Sequence, residues 1–508
     1  MNRWVLLVAG LLAAVAVSAA GSSLSDLIQQ GKRTEALAAI AAGADVNAPQ
    51  GDGTTPLHWA VYKVDTDLVA TLLKRGAKAD VVNKYGSSPL AEAVKIGNDA
   101  LVKTLLDAGA SAESPNQDGE TALMLAARVG ATDVAKLLVE RGANVNATES
   151  WKGQTALMWA ADSNSPDLAQ LLIAHGADVN TRAVANDWAA QITTEPRAQY
   201  RPTGGFTPLI YAARSGCTRC VRAMLEAGAD IDRPNPDGTT PLMFAIDSLR
   251  FDTARLLLDQ GANPQHQDWY GRTALYVAVD MSSYNRRSPQ SEDTGETSAH
   301  DVIRMLLEKG VNPNSQLNFH RPGRGGNSGR FADDLLTTGC TPLIRAAIGE
   351  DVDAVKMLLE HGALVDLPNV MGVTPLMAAA GVGVGGLGRR PGGEGGDAQA
   401  RVTATLEVLV AAGADVNAKI TDINGRSARI ARQSQMTDRG GQTALYGAVK
   451  NGWTRVVQYL LAHGANVDIK DDLGKSPVDA ALGQIGGRDN VVSQEIAELL
   501  KSAGKRGG

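Results

Sequence analysis

One short pattern returns along almost the whole chain, and its step length decides what the chain can fold into. The pattern is Gly-x-Thr/Ser-Pro/Ala-Leu, a short helix-forming run, a turn, a Leu-Leu run, and Gly-Ala-Asp/Asn-Val-Asn/Asp. Its helix start appears at Thr55-Pro56-Leu57-His58, Ser88-Pro89-Leu90, Thr121-Ala122-Leu123 and Thr155-Ala156-Leu157. It continues at Thr207-Pro208-Leu209, Thr240-Pro241-Leu242, Thr273-Ala274-Leu275 and Thr341-Pro342-Leu343. The last copies are Thr374-Pro375-Leu376, Thr443-Ala444-Leu445 and Ser476-Pro477-Val478. Most steps are 33 residues, as from Thr55 to Ser88 and from Thr207 to Thr240. A unit of that size cannot bury its apolar face alone, so neighbours must bury it for each other in a quasi-one-dimensional stack. The length of 508 residues therefore does not count globular domains.

The pattern's residues have physical reasons. Thr or Ser accepts a hydrogen bond from the free amides of a first helical turn. Proline fits the first helical position, where no amide donor is needed. Val134, Leu137 and Leu138 show helical spacing in the second half of a repeat. Gly142, Gly176 and Gly464 suit the left-handed residue that ends a helix. Asn and Asp after it suit a turn.

A 33-residue period with Thr-Pro-Leu-His, Leu-Leu and Gly-Ala-Asp-Val-Asn resembles the ankyrin repeat. Thr55-Pro56-Leu57-His58-Trp59-Ala60 matches that family's pattern nearly letter for letter. The resemblance runs from about Leu24 to Ala503 and counts eleven copies. It implies an all-α solenoid of helix-turn-helix repeats with β-hairpin fingers along one edge. An N-terminal capping helix pair is expected over 21–52, then repeats over 53–180, 205–314, 339–417 and 441–508, the last with a C-terminal cap.

The period is uneven. The steps Thr155–Thr207, Thr273–Thr341 and Thr374–Thr443 are 52, 68 and 69 residues. Insertions are expected on the finger side at 181–204, 315–338 and 418–440. Two more are expected between paired helices, at 282–298 and in a glycine-rich stretch at 382–402. The finger-side segments carry Trp188, Tyr200, Phe319 and Phe331 in a chain poor in aromatics. Segment 418–440 has a local charge of +3, with Lys419, Arg426, Arg429, Arg432 and Arg439 against Asp422 and Asp438. They read either as partner-contacting loops or as tolerated insertions.

The first 20 residues have a different character. Arg3, the apolar run Trp4–Val17 and the small residues Ser18-Ala19-Ala20 follow the order of a secretory signal peptide. Cleavage near Ala20, a periplasmic or secreted location, and no membrane insertion of the mature chain are expected. The net charge of -6 gives no electrostatic case for nucleic acid.

Motifs that could carry chemistry are few. Gly381-Val382-Gly383-Val384-Gly385-Gly386 spells GxGxxG but follows a repeat's first helix, not a strand, so no dinucleotide is expected. Gly474-Lys475-Ser476 lacks the glycine a phosphate loop needs, because position 469 is Ile469. His175, His361 and His463 each precede a helix-ending glycine, where a partly positive ring is favoured. Cys217-Thr218-Arg219-Cys220 allows packing thiols, a local disulfide or thiol-redox chemistry. No catalytic constellation, cofactor or metal is expected.

The resemblance implies that protein partners meet the finger tips and the exposed side of each first helix. Carried over by position, those residues include Tyr62, Lys63, Lys84, Tyr85, Lys95, Arg128, Trp151 and Lys152. In later repeats they include Arg214, Trp269, Tyr270, Met371 and Lys450, with Asp237, Asp247, Asp280 and Val370 beside them. Trp59, Trp159, Tyr211 and Phe244 lie between a leucine and an alanine of an apolar face and read as core. The function expected is an exported, monomeric scaffold that binds proteins; the alternative is a thiol-redox or oxidative-stress protein using Cys217 and Cys220.

Overall fold

A computed structural model describes residues 22–186, 203–285, 295–318, 339–382, 396–421, 440–485 and 492–505. The expected signal segment, Trp188, Tyr200, Phe319, Phe331, Arg426, Arg429, Arg432, Arg439, Asp422 and Asp438 lie outside these residues, as does Gly383–Gly386.

The chain forms two compact units, Met1–Val184 and Ala185–Gly508. Among the described residues the first unit has five helix pairs. They are Leu24–Gln29 with Arg33–Ala41, Pro56–Tyr62 with Thr66–Lys74, Pro89–Ile96 with Asp99–Asp107, Ala122–Val129 with Thr132–Glu140, and Ala156–Asp162 with Pro166–Ala174. The second unit has seven. Pro208–Ser215 pairs with Thr218–Glu226, Pro241–Asp247 with Phe251–Asp259, Ala274–Asn285 with Ala299–Glu308, and Pro342–Ile348 with Val352–Glu360. Then Pro375–Ala379 pairs with Gly396–Ala411, Ala444–Lys450 with Thr454–Ala462, and Pro477–Ala481 with Gln494–Gly504. Within each unit every first helix packs on the first helix of the next pair. The first helices are nearly all apolar and buried: Ala122 through Ala127 are wholly inside. Such helices sit between two neighbours, whereas a second helix keeps one solvated face and therefore shows helical periodicity.

The caps act as their residue types dictate. Thr121 Oγ1 accepts from Met124 N at 3.3 Å, and Ser88 Oγ from Ala91 N at 3.0 Å. The first repeat adds a second bond. His58 Nδ1 accepts from Thr55 N at 3.2 Å, which leaves Nε2–H to donate to Ser87 O of the next repeat at 3.0 Å. Tyr446 occupies the same motif position in a later repeat and donates to Ile469 O at 2.8 Å. Gly142 ends its helix at φ +89°, in the left-handed region expected of it.

A further link joins repeats at the last residue of the Gly-Ala-x-Val-Asn turn. Asn47, Asn146, Asn314 and Asn417 each donate through Nδ2 to the glycine carbonyl of the next repeat, Gly76, Gly176, Gly362 and Gly464, at 2.9–3.0 Å. Each also accepts at Oδ1 from the next repeat's backbone, at 2.8 Å in all four cases. This two-way clasp needs an amide, since a carboxylate can only accept.

The fingers differ from expectation. They are tight hydrogen-bonded turns, too short for strands. Asn83 N donates to Ser87 O and Gly86 N to Asn83 O, both at 3.0 Å. Neighbouring fingers are joined by hydrogen bonds such as Lys84 N to Asp52 O at 2.8 Å and Lys84 Nζ to Gly51 O at 2.7 Å. Among the described residues the one strand pair is Ala185–Asn186 with Thr203–Gly204, antiparallel, at the ends of the expected insertion 181–204. The other two finger-side insertions leave from equivalent stems. Leu317 N donates to Cys340 O at 3.1 Å and Gly339 N to Leu317 O at 2.8 Å. Ile420 N donates to Gln442 O at 3.0 Å and Gly441 N to Ile420 O at 2.9 Å. The helices Ala274–Asn285 and Gly396–Ala411 continue into the segments expected as insertions at 282–298 and 382–402, so regular structure takes part of each.

Candidate functional site

In the first unit the finger tips are built to push particular side chains outward. Asn83 Oδ1 turns inward and accepts from Tyr85 N and Ser87 N, both at 3.0 Å. Glu149 does the same with a buried carboxylate, accepting from Trp151 N at 2.7 Å and from Lys152 N and Gln154 N at 2.9 Å. The local bonds fix the turn. Tyr85 and Trp151 are each 77% exposed. Lys84 and Lys152 beside them are exposed, and Lys152 Nζ lies 5.1 Å from the centroid of the Trp151 ring.

Behind the tips runs the exposed side of the first helices. Trp59 donates from Nε1 to Gln50 Oε1 at 2.7 Å and meets Tyr62 edge-on with centroids 5.7 Å apart. Tyr62 is exposed, with Lys63 5.8 Å from its centroid. Lys95 pairs with Glu92 at 3.1 Å. Arg128 pairs with Glu120 at 2.8 Å and lies 5.2 Å from the Trp159 centroid, within cation–π range. The expectation that Trp59, Trp159, Phe244 and Tyr211 are core is met in full by Tyr211 alone; the other three are half-buried.

The second unit overturns several expected positions. Tyr270 is 3% exposed and Met371 6%, so neither is a free finger tip. Both fingers lie beside insertion stems. Asn318 N donates to Tyr270 O at 2.8 Å, and Asn318 lies directly against Gly271. Thr421 lies directly against Gly372, next to Met371. Trp269 remains exposed, while Arg214, Lys450, Asp247 and Val370 are half-exposed. Asp237 is buried because its own turn uses it, accepting from Thr239 Oγ1 at 2.7 Å. Asp280 is buried too, in a 2.6 Å ion pair with buried Arg345 of the next repeat. Arg272 and Asp268 form a second close pair at 2.6 Å.

Two groupings could suggest catalysis, and neither has the geometry for it. Ser282 Oγ donates to Asp351 Oδ2 at 2.5 Å, and His300 Nε2 meets Asp351 Oδ1 at 2.8 Å. The same imidazole nitrogen, Nε2, thus meets both the carboxylate and, at 3.3 Å, Ser282 Oγ, while the serine proton points at the carboxylate. A relay needs the base to face the hydroxyl with one nitrogen and the carboxylate with the other. Burial opposes charge on Asp351, yet the bonds from His300 and Ser282 hold its carboxyl below the usual range. Asp351 spends that charge as a helix cap, accepting from Ala354 N at 3.2 Å. Cys217 and Cys220 are joined in a disulfide, with both residues buried. Tyr276 Oη donates to the third cysteine, buried Cys340, at 3.7 Å.

His175, His361 and His463 each bond through Nδ1 to the carbonyl four residues back, at 2.8 Å. No cluster of three or more His, Cys, Asp or Glu with metal-holding geometry occurs among the described residues. No helix among them is long and apolar enough to cross a membrane.

A family model described as ankyrin repeats (3 copies) matches residues 24–116, 92–183, 189–268, 233–317, 296–384 and 398–505. Among solved structures the human ASB11 ankyrin repeat domain matches at 24% identity and a TM-score of 0.39, covering 48% of this chain and 100% of that one. No curated protein matches the chain.

Proposed function

From the premise that the chain belongs to the ankyrin-repeat family, we propose that it is an exported scaffold that binds protein partners and catalyses no reaction. The contact surface is the finger tips and the exposed side of the first helices in residues 53–180, with Tyr62, Lys63, Lys84, Tyr85, Lys95, Arg128, Trp151 and Lys152. The observation that carries this reading is the outward presentation of Tyr85 and Trp151 on turns fixed by inward Asn83 and Glu149. A rigid aromatic on a pre-ordered turn loses little entropy on binding, and Tyr, Trp and Arg dominate interface hot spots. Within the second unit, Trp269, Arg214 and Lys450 are candidate contact residues of its own surface.

Export rests on the signal-like order of residues 1–20, and the Cys217–Cys220 disulfide suits an oxidising compartment. Burial of both sulfurs speaks against the thiol-redox alternative, since exchange needs an accessible sulfur. The scaffold acts as a monomer. Cell fractionation followed by N-terminal sequencing tests the export reading, and protein confined to the cytosolic fraction with Met1 intact would overturn it.

The double change Tyr85→Ala and Trp151→Ala should weaken partner binding about 100-fold while helical content stays constant. Unchanged affinity in that variant would remove the first unit's tips from the surface.

A further inference from the structure

We propose that the first unit's face receives an acidic, extended segment of a protein partner; this rests on the protein-binding reading above. The argument is one of layering. Five cations on the face, Lys63, Lys84, Lys95, Arg128 and Lys152, are all exposed. Most of its acids lie deeper and are already bonded. Glu149 is buried and accepts from three backbone amides. Glu92 accepts from Ser87 Oγ at 2.5 Å and pairs with Lys95. Glu120 accepts from Asn116 Nδ2 at 3.0 Å and pairs with Arg128. Asp52 accepts from Thr54 N at 2.9 Å, which holds its carboxyl below the usual range. Asp118 and Asp162 are the exposed acids of this face.

Formal charges on the face therefore nearly cancel, but their depths do not. In the outer layer a ligand meets Lys63, Lys84, Lys95, Arg128 and Lys152 against only two carboxylates, Asp118 and Asp162. The cations also sit on aromatic rings: Lys63 at Tyr62, Lys152 at Trp151 and Arg128 at Trp159. That combination suits a segment in which carboxylates alternate with apolar side chains. Carboxylates take the cations, and apolar groups cover Tyr62, Tyr85 and Trp151. Because charge complementarity here is short-ranged, it sets specificity more than encounter rate.

The test starts from a phage-displayed library of random 12-residue peptides selected on the full chain. Enriched peptides should carry net negative charge and alternate acidic with apolar residues. Their affinity, by fluorescence polarisation, should fall about tenfold in the triple variant Lys63→Gln, Lys95→Gln, Lys152→Gln. It should fall further with Trp151→Ala and stay unchanged with Lys136→Gln, an exposed lysine on a second helix. Neutral or basic winners overturn the proposal, and so does equal binding to the triple variant. Equal competition by oligo(dT) or by phosphatidylserine vesicles also overturns it, because the face would then be a general anion surface. Peptides that bind but ignore every variant of this face sink the acidic-segment proposal and leave protein binding standing. No enrichment over the unselected library sinks both.

Discussion

Replacing Asp366 by asparagine should stabilise the second unit. Asp366 stands where Asn314 and Asn417 make the two-way clasp to the following repeat. Its carboxylate performs only the accepting half, from Asp415 N at 3.0 and 3.2 Å. The matching glycine carbonyl, Gly413 O, then has no donor to receive from that position. Burial pushes the Asp366 carboxyl up; the bond from Asp415 N offsets part of the rise, and the Asp415 charge adds back to it. Asp366→Asn supplies the Nδ2 donor and removes a charge beside Asp415. One added neutral hydrogen bond contributes about 1 kcal/mol, within a range of roughly 0.5–1.5.

The sign with pH follows from the raised pKa. Between the ordinary carboxylate value and the raised one, the folded state holds more protons than the unfolded state. The native aspartate is therefore most tolerated in acid, and its contribution is lost as pH rises through the raised pKa. The gain on Asp366→Asn should be fullest at neutral pH and shrink in acid. Urea unfolding followed by circular dichroism at about pH 7 and about pH 4 reads both, as the difference between variant and parent. Asn314→Asp is the mirror control and should lose a similar amount. No gain at neutral pH, or the same gain at both, would refute the clasp reasoning.

Other perturbations test other joints. Burial pushes the His58 imidazole down, and acceptance from Thr55 N needs an unprotonated Nδ1, so the first unit should lose stability as pH falls below the usual histidine range. His58→Met should flatten that dependence in acid melts, and an unchanged profile would count against the assignment. Arg345→Ala strips buried Asp280 of its ion partner and should cost about 3–5 kcal/mol in urea unfolding. A cost below about 1 kcal/mol would mean that solvent reaches the pair.

The stack was legible because its evidence is periodic: a Thr cap, an N1 proline and a closing glycine recur at one step. What the sequence left hidden is local. Positional carry-over treats every finger alike and so places Tyr270 and Met371 among the exposed tips. Both precede a long step in the period, but so does exposed Trp151, so step length does not separate them. The stems at Asn318 and Thr421 lie against the adjacent glycines, Gly271 and Gly372. Asp280 was misread for a different reason. The seventh residue after one repeat's Thr meets the fourth residue after the next repeat's Thr. Arg128 thus reaches Trp159 and Asp280 reaches Arg345. Reading repeats one at a time cannot show a pair whose members lie on two of them. The tips of Tyr85 and Trp151 were readable, but the inward Asn83 and Glu149 that hold them were not, because their role exists only in the closed turn.

The paired stems separate two kinds of variation. At Ala185 with Gly204, Leu317 with Gly339, and Ile420 with Gly441, the chain departs and returns through neighbouring backbone. The stack is therefore indifferent, to first order, to how many residues lie between. Doubling such an excursion raises closure entropy by only about 0.6 kcal/mol. Each stem is a socket at which length and composition can drift, by mutation or by design, without retuning the helices beneath. Where the chain lacks such a socket, as in Thr55–Thr121, the 33-residue step is held rigidly, and any added residue must be absorbed by the packing itself.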